Sequence, residues 1–424
     1  MNIAMFTNTY APHVGGVARS VLTFSNALRR RGHRVLVVAP EFEEMPHEEP
    51  DVLRLPAWRH FSEGNFSVPL PLPGRITRAL NALRPDIMHA HHPFLLGETA
   101  LRAAHARNLP VVFTHHTLYE RYTHYLPGDS PGLRQFAVEL ATGFCNLCDA
   151  VIAPSSSVAR LLKDRGVRTS IEVIPTGVDL SLFRSGDGQK LRRQLNLSPA
   201  TFLIGHVGRL APEKEPLFLA AAVARHLLAH PDSHFLLIGS GPSAAAMEAL
   251  FAQHKLTPRL HRQLRITPEE LADAYAAMDA FVFASRSETQ GLVLTEAMAA
   301  GVPVIAVDGP GVCDVVQEEH NGRLLEGLDE KQFAARLDWL ADLPQERRRL
   351  LRRNARHTAE DYSLDRTVDR LVALYERLHH GKARVQDLET SRWATAQRFF
   401  AEEFKILANL AHAAERVVHR REGN

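Results

Sequence analysis

Three cysteines in 424 residues are too few for a disulfide framework. Cys145 and Cys148 form a lone C-x-x-C inside a helical pattern, without the second pair that a zinc site of this kind needs, and both read as core-facing thiols. Nowhere do about eighteen apolar residues run together, so a membrane-spanning helix is not expected and any membrane contact is expected to be peripheral. The first residues, MNIAMFTNTY, lack a basic region, a long apolar core and a small-residue cleavage site; they read as a first strand, and the expected location is cytoplasmic. Charge of one sign is also lacking. With 50 Lys+Arg against 48 Asp+Glu, a formal charge of +2, nucleic acid is not an expected partner. No D-x-D motif occurs. What is present is a chain of 45% hydrophobic residues, long enough for two ordinary domains and an appendage.

Short apolar runs at residues 3–6, 35–39, 52–55, 86–89, 111–113, 150–153 and 171–174 alternate with helical stretches. That is the pattern of a parallel sheet with crossover helices. It pauses near Ser181, where residues 184–190 and the Ser198-Pro199 step read as a linker, and resumes at 202–206, 235–238, 280–284 and 304–307. The expected fold is α/β: two Rossmann-like domains facing a cleft, with a C-terminal helical extension. The expected divisions are 1–181, 182–362, a segment 363–380 that crosses back to the first domain, and the extension 381–424.

Ligands of open parallel sheets bind beyond the carboxyl ends of the strands, so the residues after each run carry the chemistry. Residues 285–291 join a strand to a helix that begins at Leu292 and is closed by Gly301 and Pro303. The backbone N–H groups of Thr289, Gln290, Gly291 and Leu292 at that helix start suit a phosphate. Glu288 in the loop and Glu296 on the helix, seven residues apart, would repel phosphate and prefer neutral hydroxyls on either side of it. Sugar hydroxyls, two phosphates and ribose hydroxyls are the shape of a sugar nucleotide. Arg209 and Lys214 straddle the turn after residue 206, where two cations can neutralise a departing diphosphate. Gly15 and Gly16 precede another helix start. His89, His91 and His92, then His115 and His116, follow two strands; with no carboxylate at ligand spacing, a metal site is not expected there. Gly239-x-Gly241-x-x-Ala244 fits a dinucleotide fingerprint, but the region of residues 259–265, where that reading needs an acid, is basic, and the oxidoreductase reading loses on that point.

Glu288 and Glu296, set in SETQGLVLTEAMAAGVPV, resemble the E-x7-E signature of retaining glycosyltransferases of family 4, and residues 208–214 resemble that family's G-R-L-x-x-E-K segment. The resemblance spans residues 1–377 and implies the GT-B fold, with an acceptor domain first and a donor domain second. It implies a retaining hexosyltransferase with front-face transfer from a nucleoside-diphosphate sugar, no cofactor and no divalent metal, because Arg209 and Lys214 take the cation's place. Glu288 then holds donor sugar hydroxyls, Glu296 holds ribose, Gly15 and Gly16 face the donor diphosphate, and His116 orients the sugar or the acceptor. Residues 114–126, with Tyr119, Tyr122 and Tyr125, resemble the corresponding segment of bacterial diacylglycerol glucosyltransferases. That likeness implies glucose, as UDP-glucose, and a lipid acceptor such as diacylglycerol at the inner face of the membrane. Arg75, Arg78 and Arg84 lie on a short basic amphipathic stretch suited to an anionic surface. A transferase for a soluble sugar or glycan precursor and a non-catalytic sugar-nucleotide-binding protein are the alternatives. The segment of residues 260–265 departs from the family pattern and leaves the donor base open. Trp393, Phe400, Phe404, Leu407, Leu410, Ala414 and Val417 form an apolar stripe that fits core packing first, with self-association and membrane contact as the alternatives.

Overall fold

Strands that are apolar at every position, rather than at alternate ones, must be covered on both faces, and a parallel sheet between helices is the structure that does so. The computed structural model describes residues 1–43, 45–46, 49–58, 68–70, 72–125, 129–264, 266–386 and 405–414. In it β1 (Asn2–Phe6), β2 (Arg34–Pro40) and β3 (Val52–Leu55) are followed by a short antiparallel ribbon of β4 (Ala57–Trp58) with β5 (Val68–Pro69). Then come β6 (Ile87–Ala90), β7 (Val111–Thr114), β8 (Ala150–Ala153) and β9 (Ile171–Val173). Seven of these form one parallel sheet in the order β3-β2-β1-β6-β7-β8-β9. The second sheet is built from β10 (Phe202–Val207), β11 (Ser233–Ile238), β12 (Leu260–Gln263), β13 (Ala280–Phe283), β14 (Val304–Val307) and β15 (Gly322–Leu325). Its order is β12-β11-β10-β13-β14-β15, again parallel.

All seven runs expected in the first half are strands of the first sheet, whereas β12 and β15 in the second were not anticipated. Both are edge strands; Leu-His-Arg-Gln of β12 is partly covered throughout and Gly-Arg-Leu-Leu of β15 is buried only at Gly322 and Leu325, so neither carries a full apolar run. Burial on two faces is plain in β10: Leu203 and Val207 enter one apolar layer, Phe202 and Ile204 the other. The chain divides into two compact units, Met1–Thr176 with the described part of Thr367–Asn424, and Gly177–Arg366. The helix Leu364–Gln386 belongs to the first unit over most of its length, where Tyr375 is fully buried and its hydroxyl meets His89 Nδ1 at 2.6 Å.

The segment expected as a linker is folded. Leu180–Arg184 and Gly188–Gln194 are short helices capped by the carboxylates of Asp179 and Asp187, and Phe183 and Leu191 enter the core of the second unit. Its polar residues are the caps and outer face of helices too short to show a period. Cys145 and Cys148 are buried in the first unit, where burial pushes both thiols up from their ordinary value. Among the described residues no helix is long and apolar enough to cross a membrane.

Of the two amphipathic stretches, the first is a helix with outward arginines as expected, and the second packs on a face other than the expected stripe. The helix Pro73–Leu83 turns Ile76, Leu80 and Leu83 into the core and leaves Arg75 and Arg78 outside, with Arg84 exposed at its end, so its apolar face is already used. At the C-terminus, Trp393, Phe400, Phe404 and Val417 lie outside the described residues. The helix of residues 405–414 packs through Ile406 and Ala413, 3% and 0% exposed, while Leu407 of the expected stripe is 59% exposed. Ile406 joins the first unit's core, and the Asn409 amide donates to Leu140 O at 3.3 Å. Asn409 sits over Gly143, where a Cβ would lie 1.5 Å from its side-chain oxygen, so this close approach requires glycine. Ile406→Ala is expected to cost about 2 kcal/mol in urea unfolding of the full chain and Leu407→Ala less than ~0.5 kcal/mol; equal effects would contradict this packing.

Candidate active site

In the second sheet the strand order reverses between β10 and β13, and side chains at the carboxyl ends of these two strands meet there. Beyond β10 the backbone of residues 208–210 is held against the turn after β11: Gly208 N donates to Ile238 O at 3.0 Å, and Leu210 N to Ser240 O at 2.9 Å. This contact requires glycine. Gly239 has φ +135°, and a Cβ there would lie 2.0 Å from Gly208 O; one on Gly241 would lie 2.4 Å from Leu210 O. The Gly239–Gly241 turn is thus a structural support that fixes the segment carrying Arg209, and Arg262 of β12 donates to Gly239 O at 3.2 Å. Arg265 lies outside the described residues.

Arg209 pairs with Glu213, whose side chain is buried, while the guanidinium is 44% exposed. Lys214, in the turn Pro212–Lys214, reaches across to the loop after β13, with Nζ 2.6 Å from Glu288 Oε1 and 3.4 Å from Ser287 Oγ. Ser287 in turn donates to Glu213 O at 3.2 Å. One lysine, two glutamates, one arginine and a serine therefore form a continuous group. Burial alone would raise the Glu288 carboxyl; the Lys214 charge, hydrogen bonds from Lys214 and Ser285, and the Arg209 charge outweigh it and hold the carboxyl below its ordinary value. The helix Leu292–Ala299 starts from Gly291 in the left-handed conformation and has no side-chain cap, which leaves its first turn suited to an anion. Thr289 and Gln290 are buried in the approach to it. Glu296 is 4% exposed, and the buried Tyr275 hydroxyl donates to its Oε2 at 2.9 Å.

The first unit holds a second group at the carboxyl ends of β6 and β7. His89 is a satisfied core histidine, bound by Tyr375 and, at 2.7 Å, by Thr114 Oγ1. The His91 ring lies 4.1 Å from it, tilted by 32°, and meets His116 Nε2 through Nδ1 at 2.9 Å. His92 Nδ1 accepts from Asn8 N at 3.1 Å, so its partner differs from that of His91. Burial pushes His89 and His92 down to about 3 and His115 to about 4. Burial, with the mutual charge of the cluster, holds His91 and His116 well below the usual histidine value. All five are neutral at neutral pH, and one N–H therefore joins His91 to His116. Tyr119 turns inward onto Phe94 and His115, away from the stacked pair Tyr122 and Tyr125. Gly15 caps the helix Gly16–Arg30 in extended conformation, and a Cβ on Gly16 would meet nothing within 4 Å. The fold therefore does not itself demand glycine at position 16.

A family profile described as Glycosyltransferase Family 4 matches residues 14–182, and one described as Glycosyl transferases group 1 matches residues 187–358. The chain is 30% identical over 340 residues to the alpha-monoglucosyldiacylglycerol synthase of Streptococcus pneumoniae, covering 77% of this chain and 76% of that protein. The chain belongs to glycosyltransferase family 4. It is also 31% identical over 353 residues to a GDP-mannose-dependent alpha-mannosyltransferase of Corynebacterium glutamicum, covering 81% of each. A sucrose-phosphate synthase from Thermosynechococcus elongatus shares the fold at TM-score 0.75 and 24% identity, over 89% of this chain and 99% of that one. The protein is accordingly a glycosyltransferase of the GT-B fold.

In this family 4 chain the structure brings Arg209, Lys214 and Glu288 together with the start of the Leu292–Ala299 helix, and separately joins His116 to His91. Ser287 and Tyr275 were missed. An S-x-S pattern at Ser285 and Ser287 marks the first, but nothing local marks Tyr275, which reaches Glu296 from another helix. Because the folded Glu288 carboxyl titrates below the ordinary glutamate value of about 4.3, the stabilisation from its pairing is complete above that pH and is lost as pH falls through the folded value. Urea unfolding at pH 7 and in acid should show a shallower acid loss in Glu288→Gln than in wild type. Identical acid limbs would remove the pairing.

Proposed function

We propose that this glycosyltransferase is a retaining enzyme that moves a hexose, glucose, from a nucleoside diphosphate to the hydroxyl of a membrane lipid such as diacylglycerol. The observation that carries the donor half is the Lys214–Glu288 pair beside an uncapped helix start. A diphosphate placed on the N–H groups of residues 289–292 lies where Lys214 and Arg209 can exchange their carboxylate partners for phosphate oxygens. Glu288, kept ionised by the same cations, then accepts hydrogen bonds from sugar hydroxyls, and Glu296 takes the ribose. In the transfer the bond from the sugar carbon to the phosphate oxygen breaks, the acceptor oxygen bonds to that carbon on the same face, and the acceptor proton passes to the departing phosphate. Arg209 and Lys214 stabilise the charge that develops on the diphosphate, a role that needs no divalent metal. His116, oriented by His91, holds the sugar or the acceptor, and the absence of side chains at Gly15 and Gly16 admits the donor phosphates.

Losing one preorganised charge contact to a developing oxyanion costs about 3 kcal/mol, or two orders of magnitude in rate. Arg209→Ala and Lys214→Ala are expected to slow transfer by about that factor while each variant still unfolds cooperatively, Lys214→Ala at lower stability because Glu288 loses its partner. Near-normal turnover in both would end the diphosphate assignment. A donor screen by thermal shift with UDP-glucose and GDP-mannose separates the two donors carried by the relatives' chemistry.

The lipid half is supported by the likeness to the glucosyldiacylglycerol synthase and by the outward Arg75, Arg78 and Arg84. Since Ile76, Leu80 and Leu83 are engaged in the core, this helix offers charge without an insertable apolar face. Each arginine near an anionic leaflet contributes on the order of 1 kcal/mol, so binding is reversible and falls with salt. In flotation, wild type should rise with anionic but not zwitterionic liposomes, and Arg75→Gln/Arg78→Gln/Arg84→Gln should lose most of that binding. Indifference to anionic liposomes, with transfer to soluble sugars alone, would favour the soluble-acceptor reading.

A further inference from the structure

The second unit contains a group of ligand-type side chains at the end of the sheet opposite to the donor residues. The helix Pro216–Ala229 runs back along the sheet after β10, so its last turn lies near the start of β11, not near the carboxyl ends. His226 on that turn is 1% exposed, and His230 follows as the residue that ends the helix. Four residues apart on one helical face, their rings stack at 4.3 Å with an interplanar angle of 16°. From the helix Glu330–Asp342, Asp338 places Oδ1 2.6 Å from His226 Nδ1 and 3.0 Å from His230 Nε2.

Two imidazole nitrogens and a carboxylate oxygen thus converge on one point, all within 4.8 Å of one another. A buried imidazole is a costly occupant of a helix–helix contact that an aliphatic side chain would fill, unless its polar atoms have a task. The far nitrogen of His226 is engaged as well: Nε2 meets Ser233 Oγ at 3.1 Å, the kind of outer contact that fixes ring orientation in a ligating histidine. The side of the group formed by Asp338 and His230 is partly open, at 39% and 28% side-chain exposure, which gives an ion an entry path and room for water ligands. The charge of Asp342, one turn further on, also acts on His226.

We propose that His226, His230 and Asp338 bind one divalent transition-metal ion of the zinc class, which joins the helix Pro216–Ala229 to the helix Glu330–Asp342. Tetrahedral zinc with ligand bonds of ~2.0–2.2 Å needs its N and O ligands ~3.3 Å apart, a small outward movement from the present contacts. Imidazole nitrogen with a single carboxylate is a donor set that zinc accepts and that magnesium and calcium do not favour. The ion is remote from Arg209, Lys214 and Glu288 within the unit, so it is structural, and this inference stands whether or not the proposed transfer does.

The test uses the full chain, untagged and stripped with chelator, titrated with Zn2+ in a calorimeter and followed by thermal unfolding. One equivalent should bind with micromolar or tighter affinity and raise the Tm by about 5 °C at saturation. His230→Gln and Asp338→Asn, both at partly exposed positions that leave the fold intact, should each weaken binding at least ten-fold and abolish the Tm rise. No saturable one-to-one binding, or unchanged affinity in both variants, overturns the proposal. Chelation should lower the Tm while leaving transfer intact; a transfer rate that falls with the metal would instead place the ion in the reaction and contradict its structural role.

Discussion

A parallel sheet covered by helices on both faces has no place for charge except at its two ends. The interior strands obey this constraint, while Arg54, Glu172, Arg262 and Arg323 lie on the edge strands β3, β9, β12 and β15. β6, β7, β8, β10, β13 and β14 are buried throughout, and the polar chemistry of the chain gathers where those strands stop. The carboxyl ends carry Arg209, Lys214 and Glu288 in one unit and the histidine group in the other. The amino ends carry the group around His226. The location of chemistry therefore follows from burial before any residue is assigned a role.

Holding charges at such an end without ligand requires that they satisfy one another. Arg209 with Glu213 and Lys214 with Glu288 do so, and both pairs are fastened to the loop that leads into the Leu292–Ala299 helix. An isolated ammonium or carboxylate there would be strongly disfavoured, whereas paired ions remain charged and can be handed to a substrate. The first unit solves the same problem in the opposite way. Its histidines are so buried that they remain neutral and connect through stacking and single N–H contacts, from Tyr375 and Thr114 through His89 and His91 to His116.

The sequence by itself determined the α/β class, all seven strands of the first sheet, the grouping of Arg209, Lys214 and Glu288 at strand ends, and family membership. These are legible because apolar runs and strand-to-helix loops are local patterns, and because an E-x7-E spacing is read along one chain segment. Only the tertiary structure decided the rest. The edge strands β12 and β15 lack an apolar run since one flank faces solvent, and the segment of residues 180–194 reads as polar because its helices are short and capped by Asp179 and Asp187. The C-terminal helix packs through Ile406 and Ala413, with Asn409 over Gly143, and not through the strongest apolar stripe. Tyr275 against Glu296, Tyr375 against His89 and Asp338 against His226 are 21, 286 and 112 residues apart. No periodicity in a sequence encodes such partners, since they meet only when separate elements are packed to a common core.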